Sequence, residues 1–71
     1  MSVSPLSVRF DEKDMWVELS DGRTLGVPLA WFPRLLKATP KQRANVEISL
    51  VGLYWDELDE ALPLAELLAG R

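Results

Sequence analysis

Residues 15–27 read MWVELSDGRTLGV, and the pairing register of this stretch decides the fold. Met15, Val17 and Leu19 alternate with Trp16, Glu18 and Ser20 at the period of two that marks a half-buried strand. Asp21-Gly22 then turns the chain, and a second short run, Arg23 to Val27, returns. With a two-residue Asp21-Gly22 loop, Ser20 would face Arg23 and the apolar set 15/17/19 would lie on the face opposite Leu25 and Val27, splitting the core. A three-residue loop, Ser20-Asp21-Gly22 with Gly22 left-handed in a bulge, instead pairs Val17 with Leu25 and Met15 with Val27 on one face. The bulged loop is therefore expected. It leaves Trp16 on the other face beside Gly26, where a large ring covers bare backbone.

Working outward, Leu6, Val8 and Phe10 alternate with Ser7 and Arg9, and Asp11-Glu12-Lys13-Asp14 connects this strand to the hairpin, so that residues 6–27 form one hairpin region. Pro28 ends the last strand. A helical segment is expected over 29–44, because apolar residues at 29, 32, 35 and 36 have helical spacing, with Pro33 at the start of a turn where its missing N–H does no harm. Thr39-Pro40-Lys41-Gln42 signals a second start, with Thr39 as N-cap, Pro40 at the first position and Gln42 completing a capping box. Val46, Ile48 and Leu50 return to period two, Gly52 breaks the run, and Leu53-Tyr54-Trp55 follows, so 46–55 reads as a second hairpin. The remainder, 56–69, reads as a turn or strand-like piece around 57–62, then a short helix from Leu64 to Ala69 with Gly70 as its C-cap. The expected fold class is α+β, a single small domain with an antiparallel β-meander of about five short strands and two to three short helices.

Composition narrows the chemistry. The chain has 71 residues, 48% of them hydrophobic and 27% charged, a net charge of −3, and neither His nor Cys. No disulfide framework and no ordinary tetrahedral zinc site can be built, and the imidazole base of common nucleophilic triads is missing. Gly-rich phosphate loops are absent as well. No catalytic residue, metal ligand or cofactor is expected, and the chain is read as a non-enzyme. Asp56, Glu57, Asp59 and Glu60 form the one dense acidic group, which suits a helix start and a solvated turn. No run approaches the ~18 apolar residues of a membrane span, and MSVSPLSVRF lacks the basic and apolar regions of a signal peptide. A cytoplasmic location is the default expectation.

Two patterns point to a partner. Arg34, Lys37, Lys41 and Arg43 fall in a window, 28–46, without a single acid, whereas 56–66 carries five acids and no base. Four cations on a net-acidic chain are a weak set for phosphate contacts; facing charged zones of a protein–protein contact are the other use of such polarisation. The second pattern is aromatic. Trp16, Trp31, Trp55, Phe10, Phe32 and Tyr54 are many rings for a domain of this length to hide. Neighbouring side chains on a helix or strand point in different directions, so one ring of Trp31-Phe32 and one of Tyr54-Trp55 should lie near the surface. Aromatic residues beside Arg make the centre of many interfaces. The partner-binding set expected from these patterns is Trp31, Phe32, Arg34, Lys37, Lys41, Arg43 and Trp55.

Laid out in this order, VRFDEKDMWVELSDGRTLGVPLAWFPRLLKATPKQRANVEI followed by GLYWDELDEAL resembles domain of unknown function family 2442, a bacterial family of small proteins. The most telling pieces are Leu19 to Arg23, Val27-Pro28-Leu29 with Trp31 to Leu35, Thr39-Pro40 with Arg43, and Trp55 through Asp59. Near the end, Ala61-Leu62-Pro63-Leu64 replaces a more strand-like sequence. The resemblance implies an antiparallel meander with short helices. It also implies a gene arrangement like that of toxin–antitoxin pairs, since members are often encoded beside another small protein. Some relatives carry an added DNA-binding segment, not expected here, because the chain ends just after its last small helix. The expected function is a protein-interaction module whose segment 28–43 binds a second copy, as a homodimer, or a co-encoded small protein, toward which this chain is the antitoxin-like partner. The alternative is a nucleic-acid-associated regulator using the four cations.

Overall fold

The computed structural model describes residues 3–69. Three antiparallel strands, β1 (Pro5–Phe10), β2 (Asp14–Leu19) and β3 (Thr24–Pro28), make the first sheet in the order β1-β2-β3. A 3-10 turn (Leu29–Trp31) and two short helices, α1 (Pro33–Leu36) and α2 (Pro40–Ala44), lead to the second sheet, β4 (Glu47–Ser49), β5 (Gly52–Trp55) and β6 (Glu60–Pro63), also antiparallel and in chain order. Helix α3 (Leu64–Leu68) closes the described chain against β3, β5 and β6. The architecture is the expected α+β meander, with six strands in two sheets and three short helices. The sixth strand is the strand-like piece of 57–62, where Pro63 sits at the terminus of an edge strand and is asked for no N–H in the ladder. The Gly70 cap lies outside the described residues.

The first hairpin has the bulged register. Val17 pairs with Leu25, Met15 with Val27 and Trp16 with Gly26, and Gly22 takes φ +94°, a conformation that side chains disfavour. The Asp21 carboxylate accepts from the backbone N–H of Arg23 (3.0 Å) and so pins the loop. Trp16 lies over Gly26 so closely that a Cβ there would be 2.6 Å from its Cζ3.

The stretch 29–38 behaves less simply than its spacing predicts. The helical turn begins at Pro33 as expected, and it is preceded by a 3-10 turn and a break at Phe32, which has φ −131° and ψ 85°. Proline 33 forbids its predecessor the helical region through the clash of its ring with the preceding backbone. Thr39 caps α2 as expected. The Gln42 N–H donates to Thr39 Oγ1 (3.1 Å) and the Thr39 N–H donates to Gln42 Oε1 (2.9 Å), completing the box.

The two sheets and the helical connection share one core. Met15, Val17, Leu19 and Val27 come from the first sheet, Leu53, Trp55 and Leu62 from the second, Leu29, Phe32 and Leu35 from the connection, and Leu64 and Leu67 from α3. No polar or charged residue is buried among the described residues, so this interior is held chiefly by apolar burial. No helix among them is long and apolar enough to cross a membrane.

The connection between β1 and β2 is tied by one carboxylate. Asp11 Oδ1 accepts from the backbone N–H groups of Lys13 (3.0 Å) and Asp14 (2.7 Å), and Oδ2 accepts from the Trp16 indole N–H (2.8 Å). The indole hydrogen bond first, then the two backbone donors, hold the Asp11 carboxyl below its ordinary value. A depressed folded pKa gives stability that is present above the unfolded value and is lost as pH falls through the folded one.

Two outcomes are expected. Asp11→Asn should flatten the acid side of the Tm-versus-pH profile below about pH 4, measured by circular dichroism in parallel with the unchanged chain. Gly22→Ala meets no atom within 4 Å, so its cost is conformational alone, about 1–2 kcal/mol, seen as a lower urea midpoint at unchanged m value.

Candidate functional site

The segment 28–43 is where sequence places a docking surface, and the structure divides its residues between two duties. Trp31 is 45% exposed while Phe32 is buried, and at the second pair Tyr54 is exposed while Trp55 is fully buried. One ring of each pair thus lies at the surface, as alternation requires. Phe32 and Trp55 nevertheless have to be moved from the expected partner-facing set to the core. Phe32 sits opposite Trp31 because the break at Pro33 turns it inward; Trp55 shares its face of β5 with Leu53, which faces the core.

Two of the four cations serve the fold. Helix α1 is a single turn, and at its end the Leu35 carbonyl takes a backbone donor from Ala38 (3.2 Å) and the rest of the capping falls to a side chain. Arg43 reaches back from α2 and donates from Nε to the Leu35 carbonyl (2.8 Å) and from Nη2 to the Leu36 carbonyl (2.8 Å), with its guanidinium 6.0 Å from the centroid of Phe10. Arg34 donates from Nη1 to the carbonyls of Asp59 (2.7 Å) and Leu58 (3.3 Å), with Glu60 Oε2 at 4.0 Å. It thereby fastens the β5–β6 loop, where Asp59 takes the left-handed φ of 50° that few non-glycine residues tolerate. Lys37 and Lys41 are exposed and form no ion pair among the described residues. The basic window is therefore two carbonyl clamps and two solvated ammonium groups.

Asp56, Glu57, Asp59 and Glu60 are not gathered into a group able to hold a metal among the described residues. Asp56 accepts instead from the Tyr54 hydroxyl (3.3 Å). The Tyr54 phenol is raised above its ordinary value by the charge of Asp56 first, then by partial desolvation and the hydrogen bond to Asp56, with smaller repulsions from Asp59 and Glu47. Two carboxylates stand beside this ring, Asp56 through its hydrogen bond and Glu47 as the register partner of Tyr54.

The least expected surface lies at the β4–β5 turn. Ser49 pairs with Gly52, leaving Leu50-Val51 as a two-residue loop, and both are largely exposed, at 80% and 76%. Hairpins of this length ordinarily use Asn-Gly or similar residues at these two places. Here the turn is held by other groups: the Val51 N–H donates to Ser49 Oγ (3.3 Å), Ser49 Oγ donates to the Gly52 carbonyl (3.2 Å), and the Val51 carbonyl accepts from the Leu64 N–H (2.9 Å). The period-two count over 46–50 absorbed Leu50 as a strand residue. The signal that would have exposed it is the missing turn chemistry before Gly52.

Arg43→Ala should lower stability by about 2–3 kcal/mol, since two charge-assisted bonds to carbonyls are lost and the Leu36 carbonyl loses its donor, while Leu35 keeps the Ala38 N–H. Lys37→Ala and Lys41→Ala should stay within about 0.5 kcal/mol of the unchanged chain. Urea unfolding of the three variants separates clamp from solvated cation.

No curated protein matches the chain. Two solved structures share the fold. One is a protein of unknown function from Rhodospirillum rubrum, 31% identical, with a TM-score of 0.81 over 99% of this chain and 89% of that one. The other is an uncharacterized protein from Chromobacterium violaceum, 30% identical, with a TM-score of 0.79 over 96% of this chain; this chain spans 66% of that protein's length. Residues 5–71 match the family described as protein of unknown function (DUF2442), and the chain belongs to that family.

Proposed function

We propose that this chain is a non-enzymatic protein-interaction module of the cytoplasm, the antitoxin-like partner of a co-encoded small protein. The observation that carries the reading is the Leu50-Val51 turn. Two branched aliphatic side chains stand in solvent at a position where folding asks only for a tight reversal. Exposed apolar groups that contribute nothing to their own fold are the ordinary raw material of an interface centre. Trp31 and Leu36, at 45% and 44% exposure, add apolar surface in the segment where an interface was first expected. A phosphate-binding role for the same segment has less to draw on, because Arg34 and Arg43 already donate to backbone carbonyls.

Co-expression with the product of the adjacent gene should yield a complex that survives gel filtration. Replacing Leu50 and Val51 together by Ser should weaken it about tenfold or more while leaving the thermal midpoint unchanged. Absence of any complex would overturn the reading.

A further inference from the structure

Side chains directly opposite one another in an antiparallel pair lie on the same face. On the second sheet this puts Tyr54 beside Ala61 and Gly52 beside Pro63 on the face turned away from Leu53 and Leu62. Gly52, Ala61 and Pro63, which lie on this face between Tyr54 and Val51, are small, and a shallow apolar hollow of about 250 Å³ opens there, lined also by Leu53 and Leu62 and with Ser49 at its margin. Gly52 cannot be enlarged, since a Cβ there would be 2.5 Å from the Leu62 carbonyl oxygen. The hollow is thus built into the strand crossing.

Its border carries one sign of charge. Glu47 pairs with Tyr54 on this face, and Asp56 holds the Tyr54 hydroxyl. The larger groove between β1 and α2, about 560 Å³, has Arg9 and Arg43 against Asp11 and Glu12 at its rim and selects neither sign. A second copy docked on the outer sheet face about a twofold axis would bring the same patch against itself, acid against acid, which is disfavoured.

We infer that the outer face of β4-β5-β6 is a docking site for a protein partner that inserts an aliphatic side chain flanked by Lys or Arg, the aliphatic group seated between Val51 and Tyr54 and the cations paired with Glu47 and Asp56. This deepens the interaction-module reading and rests on it. The apolar hollow supplies the desolvated centre and the carboxylates supply orientation and on-rate.

The test uses the full chain, labelled with nitrogen-15, and three blocked pentapeptides. One alternates Lys and Leu, one replaces each Lys by Glu, and one replaces each Leu by Ser. At low salt the Lys-Leu peptide should bind at least tenfold more tightly than either control, with amide shifts concentrated at Val51, Gly52, Tyr54 and Ala61, and Ala61→Arg should abolish the binding while the rest of the spectrum stays folded. Equal binding of the Lys and Glu peptides would overturn the inference, as would no binding of any peptide, or shifts mapping to Trp31 and Lys37. A concentration-dependent dimer dissolved by Ala61→Arg would also overturn it, by assigning the face to a second copy. Any of these can occur while the complex with the adjacent gene product persists, so the inference can fail without the broader reading.

Discussion

The fold hangs on the burial of Trp55. Its indole is fully enclosed, so its one polar atom must find a partner inside, and the N–H donates to the Arg43 carbonyl (2.9 Å). Its ring meets Phe10 edge to face at 6.4 Å. One side chain from the second sheet therefore touches the first sheet and the end of α2 together. Arg43 extends the same tie, its backbone serving Trp55 and its guanidinium closing α1. In a 71-residue domain without cysteine, the helical connection is too short to hold itself, since a helix of four or five residues is not stable alone. It is held by what it caps and by what caps it.

That dependence explains which parts of the structure were legible in the sequence. Local rules settled the first hairpin down to its register, because only the bulged loop puts Met15 and Val17 on the face of Val27 and Leu25. They settled the Thr39 capping box for the same reason, since both partners lie within four residues. Pro33 was read correctly as a helix start, yet its effect on Phe32 was not followed through: the restriction that suits the first helical position also breaks the turn before it. Alternation showed that one ring of each aromatic pair must face out. Choosing between Tyr54 and Trp55 needed the second sheet in place, because the inward face of β5 is defined by what packs on it.

The basic window was the least legible feature. Four cations without an acid among them look like a patch when laid on a line, and nothing in their spacing says that Arg34 will meet the carbonyls of Leu58 and Asp59 across 24 and 25 residues. Unsatisfied carbonyls are a property of chain ends and loops in three dimensions, and a guanidinium with its fork of donors is suited to them where an ammonium is not. The two arginines became clamps and the two lysines stayed in water, a division by side-chain chemistry that charge counting treats as uniform. Likewise the acids of 56–60 are spread by the β5–β6 loop, one to the Tyr54 hydroxyl, another strained at Asp59, another near Arg34.

In the segment 28–43 the residues that hold the connection, Phe32, Arg34 and Arg43, do so through their side chains, so substituting them disturbs the fold, whereas Trp31, Leu36, Lys37 and Lys41 between them lie in solvent. The Leu50-Val51 turn is built the opposite way. Its shape is kept by a serine hydroxyl and by the Leu64 N–H, both acting on backbone atoms, and its side chains are released from any part in that. Such a turn can change its side chains at little cost to stability. The Leu50-Val51 turn thus keeps its exposed side chains apart from the bonds that hold its shape. That separation lets a domain with so thin a core carry bulky apolar groups in solvent, because the groups it exposes are ones its interior does not need.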